Sequence, residues 1–119
     1  SSDLDKLHLL SVVFNLLDNA LKYRSTDRQP AIQVLIIGTA DAVELKISDN
    51  GIGIAPEYQG KIFEKFFRVP HGDTHNAKGY GLGLSYVSQV IHKHHGTIEV
   101  HSAPGDGTAF TIHLPKKEA

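Results

Sequence analysis

Two segments of the chain repeat apolar residues with helical period, four more are rich in β-branched residues, and their order restricts the fold more than any other feature. Residues 4–23 place Leu7, Leu10, Phe14, Leu17 and Leu21 at three- and four-residue spacing, widened by Leu9, Val13, Leu16 and Ala20. This stripe is expected to face the core. His8, Ser11, Asn15, Asp18, Asn19 and Lys22 are expected on the opposite face. "AIQVLIIGT" and "AVELKISDN" then read as an antiparallel hairpin pairing residues 31–39 with 43–49. A short helical piece is expected at 62–67. A second clear helix lies in "LGLSYVSQVIHKHHG", with Leu84, Val87, Val90 and Ile91 on one face and Gly96 as its stop. Two final strands, "TIEVHSA" and "TAFTIHLP", are joined by "PGDG". The order implies one domain over 1–119 of the α+β class. It would be a two-layer sandwich with about three helices on one face of a mixed, mostly antiparallel sheet.

Bulk properties remove several function classes. A formal net charge of −1 argues against a nucleic-acid binder, which carries a basic excess. No cysteine is present, so disulfide and thiolate chemistry are excluded. No apolar run approaches the roughly 18–20 residues that cross a bilayer, and no secretory signal is visible. "SSDLD" reads as a linker end, so the chain is expected to be a piece of a longer protein. "PKKEA" reads as a solvated tail.

The eleven glycines cluster. "KGYGLGLSYV" sets Gly79, Gly81 and Gly83 immediately before a helix. Unpaired N–H groups and the positive dipole end at a helix start, with glycines allowing close approach, suit an anion such as phosphate. The segment is not a Walker A loop, because no Gly-Lys-Ser/Thr occurs. It is not the dinucleotide pattern either, because it follows a loop. A flexible linker before a capped helix is the bland alternative. "SDNGIGI" ends a strand with Asp49 followed by Gly51 and Gly53. Asp-Asn-Gly is a hairpin-turn signal, yet "IGIAPE" does not continue as a pairing strand. A carboxylate there accepts hydrogen bonds, including one from the exocyclic amine of adenine, and penalises a partner that lacks the donor.

Asn15 and Asn19 are costly in a helix, each about 0.6–0.7 kcal/mol worse than Ala. A wet polar face is the bland reading. Beside a phosphate loop they acquire a purpose. Mg²⁺ takes hard oxygen ligands, and an amide oxygen supplies one without adding negative charge. Lys22 continues the face one turn on and could meet a terminal phosphate. Tyr23 could lie over the base or ribose.

"HLLSVVFNLLDNALKY", "DNGIGI", "IFEKFFRV", "GYGLGLSYV" and "GDGTAFTIHLP" resemble, in order, the asparagine, first glycine, phenylalanine, second glycine and terminal glycine-threonine boxes of one family. That family is the ATP-binding catalytic domain of sensor histidine kinases, a Bergerat-fold ATPase related to gyrase, MutL and the ninety-kilodalton chaperones. The resemblance runs from about Leu7 to Pro115. It implies that Asn19 coordinates Mg²⁺, Asn15 assists in the metal and water shell, Lys22 contacts phosphate and Tyr23 lines the pocket. Asp49 would bind the adenine amine, with Gly51, Gly53 and Ile54 beside it, and Thr108 would support the base through water. Phe63, Phe66 and Phe67 would anchor a lid over residues 69–78, and Arg68 would reach the γ-phosphate. Lys78, Gly79, Tyr80, Gly81, Leu82, Gly83 and Leu84 would hold the phosphates. The implied activity is transfer of the γ-phosphoryl of ATP to a histidine on a separate dimerisation domain of the same parent protein. From there it passes to an aspartate of a response regulator. The catalytic set would be Asn15, Asn19, Lys22 and Arg68, acting by positioning and charge neutralisation. The location would be the cytoplasmic portion of a membrane-anchored bacterial sensor.

Three departures from the family pattern carry expectations. The family normally has one or two strands before the asparagine box and only "SSDLDK" precedes it here, so either the sheet lacks an edge strand or those residues are supplied differently; an uncovered edge would be sticky. Tyr80 replaces the usual small residue. No phosphoacceptor box is present, and His8 lies in the asparagine-box helix, so the chain alone should bind ATP without phosphorylating itself efficiently. An ATP-binding regulatory module without transfer and a serine kinase or ATPase of the same fold are the rival readings. "HKHH" at 92–95 could chelate Zn²⁺ with His101; cationic side chains at a helix C-terminus are the preferred reading.

Overall fold

The computed structural model describes residues 3–65, 67 and 84–116. Its elements are α1 (Asp3–Lys22), β1 (Ile32–Gly38), β2 (Ala42–Asp49), a one-turn α2 (Pro56–Gln59), α3 (Ser85–Lys93), β3 (Thr97–Ala103) and β4 (Gly107–Pro115). The strands form one sheet in the order β1-β2-β4-β3, and every described pairing is antiparallel. The architecture is the expected α+β sandwich, without a parallel pair among the described residues. No described helix is long and apolar enough to cross a membrane.

The register explains which side chains enter the core. Opposed residues in an antiparallel pair share a face. Val34, Ile47, Phe110 and Val100 form one such row, and Ile36, Leu45, Ile112 and Ile98 the next. Helices α1 and α3 cover the centre of these rows. Ile47, Phe110 and Ile112 are buried against Val12, Leu16 and Ala20 of α1 and Val87, Val90 and Ile91 of α3. Ile54, Ile62 and Leu84, from the connections, close the same cluster.

The expected core stripe of α1 holds in part: Leu16 and Ala20 are buried and Leu9, Val13 and Leu17 pack against the core. Leu16 is 1% exposed, whereas Phe14 is 78% exposed, and Leu7, Leu10 and Leu21 are exposed with it. The buried line runs instead through Val12, Leu16 and Ala20, at four-residue steps, and takes in Asn19, which was expected on the opposite face. Both lines satisfy the helical period, because α1 is apolar around most of its circumference. Packing on the sheet selects the line that carries small and branched residues.

Two helix boundaries also differ. The helical turn after the glycine segment starts at Pro56, whose fixed φ suits the first turn of a helix. Residues 61–65 follow as turns, with Glu64 N–H bonded to Lys61 O, and Phe67 N–H bonds to Glu64 O. Helix α3 is stopped by His95, in the left-handed region at φ 65°, one residue before Gly96. His95 N–H donates to His92 O and Gly96 N–H to Ile91 O, the paired bonds that close a helix end.

Among the described residues, strand β1 bonds to β2 alone. Val34 and Ile36 on its helix side and Leu35 and Ile37 on its other side are all exposed. It is an edge strand of the described sheet.

Candidate functional site

The helix-side face of the sheet ends in a row of different character. Asp49 on β2 opposes Thr108 on β4, and Thr108 opposes Ser102 on β3. The apolar rows give way here to one carboxylate and two hydroxyls. Alternation makes this unavoidable once Ile47, Phe110 and Val100 face inward, because residues two apart share a face.

Asp49 is half-buried, and Gly51 N–H donates to its Oδ1 at 2.8 Å. Burial pushes the carboxyl pKa above its ordinary 3.8, and hydrogen bonds from the backbones of Gly51 and Thr108 pull the other way. The turn after Asp49 presses on the end of α1. Ile52 N–H donates to Tyr23 O at 3.0 Å, and a Cβ on Gly51 would strike that same carbonyl. Only glycine fits there. Gly107 has φ 90°, and a Cβ on it would strike Asp49 O, so β4 approaches β2 this closely only with glycine at the junction.

Two residues not singled out from the sequence hold this corner. Arg28 donates from Nε to Asn50 O at 2.8 Å and from Nη2 to Gly51 O at 3.0 Å and Gly105 O at 2.7 Å. It ties the loop after α1 to both glycine turns. Ser102 Oγ accepts from Ile54 N–H at 2.7 Å, donates to Gly107 O at 2.7 Å and lies 2.9 Å from Thr108 Oγ1. Asn50 braces the turn from outside, with its side chain bonded to Ala31 N–H and Gln29 O. Nothing local in the sequence signals these roles, since the partners are carbonyls and amides of distant turns.

The structure brings Asn19, Tyr23, Asp49, Gly51, Gly53, Ile54 and Thr108 to this end of the sheet. Asn19 is 9% and Thr108 8% exposed, and Asn19 O accepts from Tyr23 N–H at 3.0 Å. Asn15 lies one turn earlier on α1. Its Nδ2 donates to Ser11 O at 3.2 Å, and its Oδ1 accepts no hydrogen bond from the described residues. A neutral amide oxygen left open in this way suits a hard cation or its water. Lys22 Nζ pairs with Asp18 at 3.1 Å on the exposed surface. Such i,i+4 pairs are weak, about 0.3–0.5 kcal/mol. Phe63 meets Phe110 edge-on with ring centroids 6.4 Å apart, so it is anchored on the core. Phe67 packs beside Tyr58 at 5.9 Å. Ile54 and Leu84 are core side chains. Phe66, Arg68, the lid residues 69–78 with Lys78 at their end, Gly79, Tyr80, Gly81, Leu82 and Gly83 lie outside the described residues. Among the described residues no three His, Asp, Glu or Cys side chains gather to hold a metal ion, so the Zn²⁺ alternative at 92–95 gains no support.

A family described as histidine kinase-, DNA gyrase B- and HSP90-like ATPase matches residues 4–118. The sensor protein RprX of Bacteroides fragilis is 43% identical over 111 residues, 93% of this chain and 21% of that protein. The sensor-like histidine kinase SenX3 of Mycobacterium tuberculosis is 39% identical over 93% of this chain and 27% of its own length. Among solved structures, the mycobacterial sensor histidine kinase MprB aligns with a TM-score of 0.70 and 37% identity, covering 87% of this chain and 67% of that one. The catalytic domain of histidine kinase ThkA aligns with a TM-score of 0.76 and 27% identity, covering 94% and 69%. The chain thus spans about a fifth to a quarter of the full length of these curated relatives.

Proposed function

The chain belongs to the histidine kinase-, DNA gyrase B- and HSP90-like ATPase family, and we propose that it binds Mg²⁺-ATP and presents the γ-phosphoryl to a histidine on a separate helical dimerisation domain. A response-regulator aspartate would be the next acceptor, and the cytoplasmic face of a bacterial sensor the setting. The observation that carries this reading is the polar row. Asp49 and Thr108 stand side by side at the end of an otherwise apolar sheet face.

In this reading Asp49 accepts a hydrogen bond from the adenine amine and Thr108 supports the same edge. Tyr23, Gly51, Gly53 and Ile54 border the base, and Phe63 supports the wall from the core. Asn19, helped by Asn15, offers amide oxygen to Mg²⁺, which when bound neutralises phosphate charge. Lys22 faces the phosphates. Arg68, Lys78, Gly79, Tyr80, Gly81, Leu82, Gly83 and the Leu84 backbone complete the phosphate grip. The chain's own work is to hold the triphosphate in one orientation. Transfer breaks the bond from the γ-phosphorus to the bridging oxygen, forms a P–N bond on the imidazole, and releases ADP and the imidazole proton.

Calorimetry with ATP and GTP, with and without Mg²⁺, tests the binding half. ATP should be preferred, and Asn19→Ala should weaken Mg²⁺-ATP more than ATP in EDTA. Equal losses would remove Asn19 from the metal shell. Adding a histidine-bearing domain and labelled ATP tests transfer, with acid-labile phosphohistidine as the expected product. Binding with persistent absence of label would leave a nucleotide-binding module only.

A further inference from the structure

We propose that Ser102 is a positioning residue that sets purine specificity by fixing the direction of the Thr108 hydroxyl. The proposal rests on the reading of this corner as the adenine site. Ser102 Oγ has three neighbours. Ile54 N–H, at 2.7 Å, can only donate to it. Gly107 O, also at 2.7 Å, can only accept, so the Ser102 proton points there. The third neighbour is Thr108 Oγ1 at 2.9 Å. With the serine proton already committed, this bond forms only if Thr108 donates. Ser102 is then saturated, with two bonds accepted and one given. Gln59 Nε2 holds the strand in place by donating to Ser102 O at 2.9 Å and Ile54 O at 2.8 Å.

The consequence reaches the pocket. The Thr108 proton points toward Ser102, so whatever touches Oγ1 from elsewhere, a base or a bridging water, must donate to it. The Asp49 carboxylate beside it also only accepts. Two adjacent acceptors admit a 6-amino purine, which supplies protons on that edge. A 6-oxo purine puts an acceptor at the position of the amine and offers only its N1–H on that edge, so one of the two acceptors loses its donor.

ATP and inosine triphosphate share ribose and triphosphate, so the ratio of their affinities is blind to the phosphate end. Calorimetry with both nucleotides in Mg²⁺ should show the parent preferring ATP. Ser102→Ala releases the Thr108 proton to the pocket, and the preference should shrink by about tenfold, the scale of one hydrogen bond gained by the oxo purine. Thr108→Val deletes the acceptor while leaving the other Ser102 bonds, and should narrow the ratio as well. In the Thr108→Val background, Ser102→Ala should change the ratio no further. An unchanged ratio in Ser102→Ala, or an equal drop when Thr108 is already Val, overturns the proposal. If Ser102→Ala does not fold by circular dichroism, Thr108→Val decides, and an unaltered ratio there overturns it. A parent that binds neither nucleotide defeats the adenine-site reading itself. A parent that binds both equally defeats this proposal alone.

Discussion

Asp49 is asked to be charged in a place that disfavours charge. Its folded pKa is raised by burial, so the ionised form is less stable in the folded chain than in the unfolded one. The resulting penalty is absent below the ordinary carboxylate pKa of 3.8 and complete above the raised value. Asp49→Asn keeps an oxygen for Gly51 N–H and removes the charge. Its thermal midpoint should equal or exceed the parent's at pH 7, and the advantage should vanish toward pH 3. The same variant turns an N–H toward the adenine amine, donor against donor, and should lose on the order of 1–3 kcal/mol of ATP affinity by calorimetry. Parent-like affinity would take Asp49 out of the adenine contact, and a lower midpoint at pH 7 would contradict the burial penalty. Asp49 and Gly51 were legible in the sequence because the end of a strand and its turn are local signals, whereas Thr108 entered only through the family resemblance. Ser102 and Arg28 were not legible, since each acts on backbone groups of turns brought near by the fold. Arg28 reaches Gly105, 77 positions away.

At the scale of elements, the strands lie where their patterns place them, whereas only part of the expected α1 stripe, Leu16 and Ala20 with Leu9, Val13 and Leu17 beside them, meets the core. Strands β2, β3 and most of β4 alternate apolar and polar residues, and a one-residue error there would reverse every face. Helix α1 offers two apolar lines at helical spacing, and period cannot choose between them. Position on the sheet does, by burying Leu16 and leaving Phe14 outside. A recess of about 620 Å³ lies on that outer side, lined by Ser11, Phe14, Asn15, Leu17, Asp18 and Leu21. Urea denaturation should separate the two lines. Leu16→Ala should cost about 2–5 kcal/mol, as a cavity in a packed core does. Phe14→Ser should stay within about 0.5 kcal/mol of the parent, as exposed substitutions do. Comparable losses at the two positions would return the stripe through Phe14 to the interior. The helical turn sits at 56–59 and not at 62–67, because Pro56 has the fixed φ that starts it.

For the molecule as a whole, the corner joins α1, the turn after β2 and the turn before β4, and each contributes to the folded state alone. A ligand held there binds the folded chain and not the unfolded one. ATP with Mg²⁺ at 100 times its Kd should stabilise the domain by about 2.7 kcal/mol. Calorimetric scans should register this as a rise of roughly 10 °C in the midpoint. GTP at the same concentration should raise it less, and equal rises would count against the discrimination assigned to Asp49 and Thr108. Strand β1 stands at the far edge of the described sheet from β3, so the corner's contacts with β4 and β3 do not depend on what lies beyond it.

The Arg28 tie gives synthesis of the chain an order. Its acceptors include Gly105, in the turn that precedes β4. A nascent polypeptide that has emerged only through β3 holds the asparagines and the acidic strand end, yet it lacks the carbonyl that Arg28 grips and the threonine opposite Asp49. In the proposed reading, competence for a purine would therefore arrive only once β4 has emerged.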